Sequence, residues 1–310
     1  MTEPVFTSVR MSTRTLTQHY EGFVRSLRSG KPETRGTYAR ALREFLRWFP
    51  RDKAFRFRVA DVRRYKRYLT VRRKLTPVSV STYLTALRRF CGFLVDRKVL
   101  RDNPAKRVGG NARPAAHTRD YLTAEAIGRV LAAVEQSDVR GQRDYAMMLL
   151  MVRCALSEIE LIRADVGDVT VREGLWHMAV QGKGRTAKDA VVPLPPEVKE
   201  AIDRYLATRG AVEPGDPLFA SAGNRTRGSR MTTRGVRDRI TVHLSAAGIR
   251  GETGGNITPY SLRHTAAILM AREGATADQI RDRMRLGSLM TARLYLDHSS
   301  TDKTQTTSKE

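Results

Sequence analysis

One stretch of this chain decides its architecture more than any other. Asn103-Pro104 closes a run of helical patterns, and Arg107-Val-Gly-Gly-Asn-Ala-Arg-Pro114 reads as a linker rich in glycine and proline. A core must be built on each side of it, and 310 residues suffice for two domains. The expected boundaries are an N-terminal extension at 1–15, a first domain at 16–105, a linker at 106–120, a second domain at 121–298 and a polar tail at 299–310. The tail carries no apolar anchor and is expected to be disordered.

Four helical patterns fill the first domain. Leu16 to Leu27 presents Tyr20, Phe23 and Leu27 on one face, and a break at Gly30-Lys-Pro32 follows. Tyr38, Leu42, Phe45, Leu46 and Phe49 mark a second helix, ended by Pro50. From Val59 to Val71 the inward positions are Val62, Tyr65, Leu69 and Tyr68, while Arg63, Arg64, Lys66, Arg67, Arg72 and Arg73 point outward. Thr76-Pro77 supplies an N-cap with proline at the first helical position, and Val80, Tyr83, Leu87, Phe90 and Leu94 form the fourth stripe. The aromatics read as core rather than as base-stacking platforms.

The outward positions carry the charge. Residues 1–103 hold 25 Lys and Arg against 8 Asp and Glu, so +17 of the +24 net charge lies in the first third of the chain. Such an asymmetry suits an electrostatic clamp on a nucleic acid. A membrane role is not expected. The longest apolar run, Ala146 to Val152, is far below the roughly 20 residues of a span. Neither a secretory signal nor a lipidation motif is visible. Cys91 and Cys154 lie in apolar helical patterns and read as reduced core thiols of a cytoplasmic protein.

The second domain mixes helices with short strands. Thr123 caps a helix through Val134, and Arg143 to Val152 is a strongly apolar helix. Trp176 to Gln181 and Ala190 to Leu194 read as strands around a hairpin turn at Gly182-Lys-Gly-Arg185. Thr233–Ala247, Ser261–Glu273 and Thr276–Met284 return to helix.

Several of these segments form an ordered set. Val78 to Ala105, Val152-Arg-Cys-Ala-Leu-Ser-Glu-Ile-Glu160, Gly182-Lys-Gly184, Pro259-Tyr-Ser-Leu-Arg-His-Thr265 and Thr291-Ala-Arg-Leu-Tyr295 resemble, in order and spacing, the tyrosine recombinases of the phage-integrase family. The likeness spans residues 16 to 298. It implies a mainly α-helical protein: a four-helix, SAM-like core-binding domain followed by an α+β catalytic domain with a small antiparallel sheet. It also implies double-stranded DNA as partner, no metal or nucleotide cofactor, and cleavage through a 3′-phosphotyrosyl intermediate. Assembly is implied as a tetramer on paired sites, or jointly with another recombinase.

The resemblance assigns roles residue by residue. Tyr295 matches the nucleophile, Lys183 the hairpin general acid and Arg263 a phosphate-clamping arginine, with Lys188 a competitor for the lysine role. His264 reads as structural, directed away from the phosphate. In the core-binding domain, Arg63, Arg64, Lys66, Arg67, Arg72, Arg73 and Arg89 are the expected DNA contacts, with Ser79, Ser81, Thr82 and Thr85 beside Arg89.

Three positions depart from the family pattern. Its Gly-Leu-Arg turn, three residues before a glutamate, reads Ala155-Leu156-Ser157 before Glu160, so the first arginine is a serine. The histidine three residues before Arg263 is Tyr260, which keeps a hydroxyl. The Leu-Gly-His (or Arg-His) turn nine residues before the nucleophile reads Met284-Arg285-Leu286, so Leu286 replaces a histidine or tryptophan that would donate to the phosphate. Arg153, Arg163 and Arg285 are the cations available to fill the space left at Ser157. Loss of one preorganised donor costs about 10²–10³ in rate. Two readings follow: a recombinase of reduced activity, or a non-cutting DNA-binding subunit that accompanies an active one.

Overall fold

The computed structural model describes residues 9–27, 32–111, 120–223, 226–249 and 257–297. The first eight residues, the Gly30-Lys31 break, linker positions 112–119 and the polar tail lie outside the described residues. The chain divides into two compact units, Met1–Arg113 and Pro114–Glu310.

Unit one contains α1 (Thr13–Ser26), α2 (Pro32–Trp48), α3 (Val59–Arg67) and α4 (Pro77–Asp96). Side chains fix their starts. Ser12 accepts the amide of Thr15 and Thr76 accepts that of Ser79, each satisfying a donor that the first turn leaves unpaired. At α3, one oxygen of Asp61 takes the amides of both Arg56 and Arg58 at 2.8 Å. The helix then continues through a single π turn, Tyr68–Arg72. The aromatics do form the core. Phe45 lies at 5.1 Å from Tyr65 and 5.5 Å from Phe55, ring edges meeting faces, a geometry worth roughly 0.5–1.5 kcal/mol per pair beyond burial. The start of the expected linker is packed on this unit: Val108 is buried, Arg88 donates to the carbonyls of Ala105 and Val108, and the Ser81 hydroxyl accepts the Asn111 amide.

Unit two comprises α5 (Ala124–Ala132), α6 (Val139–Arg153), α7 (Glu158–Arg163), β1 (Val169–Arg172), β2 (Leu175–Val180), β3 (Ala190–Pro193), α8 (Pro196–Arg209), α9 (Thr233–Ala246), α10 (Pro259–Arg272), α11 (Ala277–Arg283) and a last helix, α12, over 289–297. The strands pair antiparallel in the order β1-β2-β3, with Met178 opposite both Val169 and Val192. Both β1 and α8 were unexpected. The connection between β2 and β3 is a loop over 181–189, longer than a tight turn.

Buried along most of its length, and apolar throughout from Ala146 to Val152, α6 runs through the core. Its one carboxylate, Asp144, is fully buried and takes Arg143, Arg239 and His243 at 2.7, 2.7 and 3.0 Å. Burial alone would raise that carboxyl. The His243 hydrogen bond and the arginines hold it below the usual range, which ties α6 to α9. Cys91 and Cys154 are free and buried, their thiols pushed up to about 12 by desolvation. Among the described residues no helix is long and apolar enough to cross a membrane.

Candidate active site

The site grows from the turn that follows α6. Ala155 stands at φ +53, and the chain then enters α7 with Ser157 as N-cap. Ser157-x-x-Glu160 is a capping box, legible in the sequence, in which the glutamate reaches back to the cap. Here the glutamate does more than cap. Its Oε2 accepts the amide and the hydroxyl of Ser157 at 2.7 Å each, and Arg263 Nη1 at 2.5 Å. Arg285 adds Nε to Oε1 at 2.5 Å and Nη2 to Oε2 at 3.1 Å. Glu160 is only 2% exposed. Burial would raise its carboxyl, but the Arg285 hydrogen bond and the charges of Arg263 and Arg285 override it and hold the group down to about 2.

From the first turns of α10 comes Arg263. It is 5% exposed, donates through Nη2 to the Met284 carbonyl, and keeps a buried Nε–H without an acceptor among the described residues. An unpaired buried donor costs about 1–3 kcal/mol and is a place for an oxyanion to settle. Thr265, two residues on, accepts the Leu122 amide at 2.9 Å and so anchors the start of unit two to α10.

The nucleophile candidate sits one turn of chemistry away. Tyr295 on α12 is 2% exposed, and its hydroxyl lies 2.9 Å from Nδ1 of His264. His264, expected to be structural and directed away from the phosphate, thus has the Tyr295 hydroxyl as a neighbour of its ring. The imidazole follows Arg263 directly in the chain and meets Tyr295. Tyr260, one helical turn earlier on α10, sets its ring edge against the same imidazole at 4.9 Å between centroids. The spacing of 260 and 264 already placed them on one helical face.

The hairpin supplies a lysine. Lys183 is exposed in the turn before Gly184, whose φ of +77 suits glycine. Lys188, its competitor, is held elsewhere: its Nζ lies 2.5 Å from both Asp165 and Asp168. Leu286 is half-buried and packs with Ala155, Met284 and Tyr295 in an apolar cluster. It offers no donor.

In unit one the expected DNA contacts fall into two groups. Arg64 is paired with Asp52 and Asp61, Arg73 with Glu44, and Lys66 donates to the Gly109 carbonyl. Arg63, Arg67, Arg72 and Arg89 are exposed, and their side chains make no hydrogen bond or ion pair to any described residue. The α4 hydroxyls are occupied locally: Thr82 and Thr85 donate to carbonyls one turn back, Ser79 is held by Thr76, and Ser81 holds Asn111.

These features define a class, and comparison with known proteins names it. Residues 120–302 match the phage integrase family, and residues 16–100 match the phage integrase N-terminal SAM-like domain. The chain belongs to the phage integrase family of tyrosine recombinases. It is 29% identical over 224 residues to the tyrosine recombinase XerC of Thermodesulfovibrio yellowstonii, covering 70% of each chain. Against XerD of Shewanella oneidensis it is 28% identical over 280 residues, covering 88% of this chain and 84% of the relative. Among solved structures, XerH recombinase bound to its palindromic difH substrate, a post-cleavage complex, superposes with a TM-score of 0.70 at 18% identity, covering 92% of this chain and 81% of that one. The Tn1549 transposon integrase in complex with circular intermediate DNA gives 0.69 at 16% identity, covering 96% and 99%. The fold is therefore the expected one: a SAM-like helical domain, and a catalytic-type domain with a small antiparallel sheet.

Proposed function

We propose that this chain is a site-specific recombinase that binds double-stranded DNA and cleaves it through a 3′-phosphotyrosyl bond at Tyr295. The observation that carries the reading is the 2.9 Å contact between the Tyr295 hydroxyl and His264, next in sequence to Arg263. A phenol is a poor nucleophile at neutral pH and needs a base beside it. In this reading Tyr295 attacks the phosphorus, His264 takes the phenolic proton at Nδ1, and Lys183 protonates the departing 5′-oxygen. Arg263 bears the charge that builds on the phosphate oxygens. Because the phosphodiester energy is kept in the covalent bond, a 5′-hydroxyl of another strand reverses the step without a nucleotide cofactor.

Support for the DNA partner comes from the exposed arginines of unit one and from the neighbouring folds seen bound to DNA. Assembly on paired sites, with its own copies or with a second recombinase, belongs to the same proposal. With Tyr295 buried, α12 must shift before the hydroxyl meets a phosphate, a gating step of a common kind.

A second reading has its own observation. Ser157 spends its hydroxyl on Glu160 and Leu286 is apolar, so two positions of the family pattern give the phosphate nothing. On that reading the chain binds DNA beside an active partner and does not cut.

A duplex nicked near the cleavage position, carrying the sequence that the full-length chain selects from a random pool, separates the two. Cleavage predicts a covalent adduct that Tyr295→Phe abolishes. Tight binding with no adduct in the unaltered chain supports the non-cutting subunit.

A further inference from the structure

The family pattern places an arginine at the position of Ser157 and glycine or arginine at that of Arg285. Here the first position is a serine and the second an arginine, and the backbone keeps conformations that suit glycine. Ala155 and Arg285 both stand in the left-handed region, at φ +53 and +52, where glycine sits without strain. An arginine held there is strained in its backbone conformation. Its guanidinium has a definite destination.

From the turn between α11 and α12 the Arg285 side chain crosses to the mouth of α7. Nη2 donates to the carbonyl of Ala155, two residues before Ser157, at 2.8 Å. The same nitrogen lies 3.1 Å from Glu160 Oε2, the oxygen that also takes the Ser157 amide and hydroxyl. The guanidinium thus occupies the ground beside Ser157. The other two candidates are engaged elsewhere: Arg153 faces Glu197 at 3.6 Å, and Arg163 donates to the Gly182 carbonyl at 2.8 Å.

We propose that Arg285 is the second phosphate-clamping cation of this site, supplied from the α11–α12 turn in place of the arginine missing at Ser157. The proposal rests on the phosphoryl-transfer reading above. Charge balance agrees with it. Arg263 and Arg285 against Glu160 leave one net positive charge, the same as with arginine at 157 and glycine at 285. Donor geometry agrees too. Both guanidiniums are fixed on one carboxylate, and each keeps an N–H with no acceptor among the described residues: Nε of Arg263, and one hydrogen of Arg285 Nη1, whose other hydrogen goes to the Arg283 carbonyl at 2.6 Å. Two arginines oriented by one buried carboxylate form a preorganised fork for a tetrahedral anion.

The test uses the full-length chain and the nicked duplex described above. Arg285→Gly is expected to lower the rate of adduct formation about 10²–10³-fold. Adding Ser157→Arg to it should restore the rate to within tenfold of the parent. Arg153→Ala should stay within threefold. Binding of the intact duplex by Arg285→Gly, within tenfold of the parent, shows that the variant is folded. Arg285→Gly forming adduct at the parental rate, or a double variant no better than the single, overturns the proposal and leaves cleavage by Tyr295 standing. If the parent forms no adduct, the cleavage reading falls and binding alone decides. The selected duplex is then scanned with single neutral methylphosphonate linkages. One linkage should weaken the parent at least tenfold and leave Arg285→Gly unaffected; equal responses in both proteins overturn the proposal.

Discussion

Glu160 is the residue on which the site turns. A carboxylate this deeply buried is tolerable only because Arg263 and Arg285 close on it and Ser157 fills its remaining lone pairs. Removing the charge strands the buried Arg263 and the half-buried Arg285, and Glu160→Ala is expected to cost about 3–5 kcal/mol in denaturant unfolding of the full chain. The depressed carboxyl also sets a pH dependence. In the unfolded chain Glu160 binds its proton near the ordinary value of 4.5, and in the folded chain only near 2. The stability it adds is complete above about 4.5, fades as the pH falls, and is gone below about 2. Acid titration of the parent against Glu160→Gln should show the parent losing stability more steeply across that window. Parallel curves would contradict the assignment. The cluster was only half legible. Ser157-x-x-Glu160 reads as a capping box, and the Leu-Arg-His-Thr segment points to Arg263. That Arg285 meets them is a contact across 125 positions, with no local sequence signal to announce it.

At the scale of elements, periodicity carried most of the fold. The helices of unit one follow their apolar stripes, and α4 begins where Thr76-Pro77 says it must. The missed elements have physical reasons. Val169–Arg172 is a four-residue, largely exposed strand with too few positions to show alternation. In α8, Val198, Ala201, Ile202 and Tyr205 have helical spacing, but Pro195-Pro196 reads as a break although proline also opens helices. Burial and pairing then sort the arginines of α3 and its π turn, which the sequence shows only as a basic stripe. Each of Arg63→Ala and Arg67→Ala should lower the magnitude of the salt slope of DNA binding, log K against log salt, by about 0.9. Arg64→Ala should leave the slope unchanged and alter stability by less than about 1 kcal/mol, since its partners Asp52 and Asp61 already neutralise it. Equal slopes for all three variants would show that ion pairing within α3 does not select the DNA contacts.

For the whole molecule, charge and chemistry are divided between the units. The first third holds +17 of the +24, and the unit with Tyr295 ties Arg143 and Arg239 to the buried Asp144, and Arg263 and Arg285 to the buried Glu160. Unit one is thus suited to grip a polyanion of any sequence, and unit two to hold a single phosphate. Binding of the full chain should weaken steeply with salt, and an Arg63, Arg67, Arg72 and Arg89 quadruple alanine variant should reduce that slope by about 3.6. The central claim is that Tyr295 becomes bonded to DNA. Its most direct measurement is mass spectrometry of the tryptic peptide beginning at Leu294 from protein trapped on the nicked duplex. The account predicts that peptide carrying a nucleotide through a 3′-phosphate on Tyr295, with a free 5′-hydroxyl on the released strand. An unmodified peptide from protein fully bound to the duplex, or a nucleotide on any other residue, would contradict it.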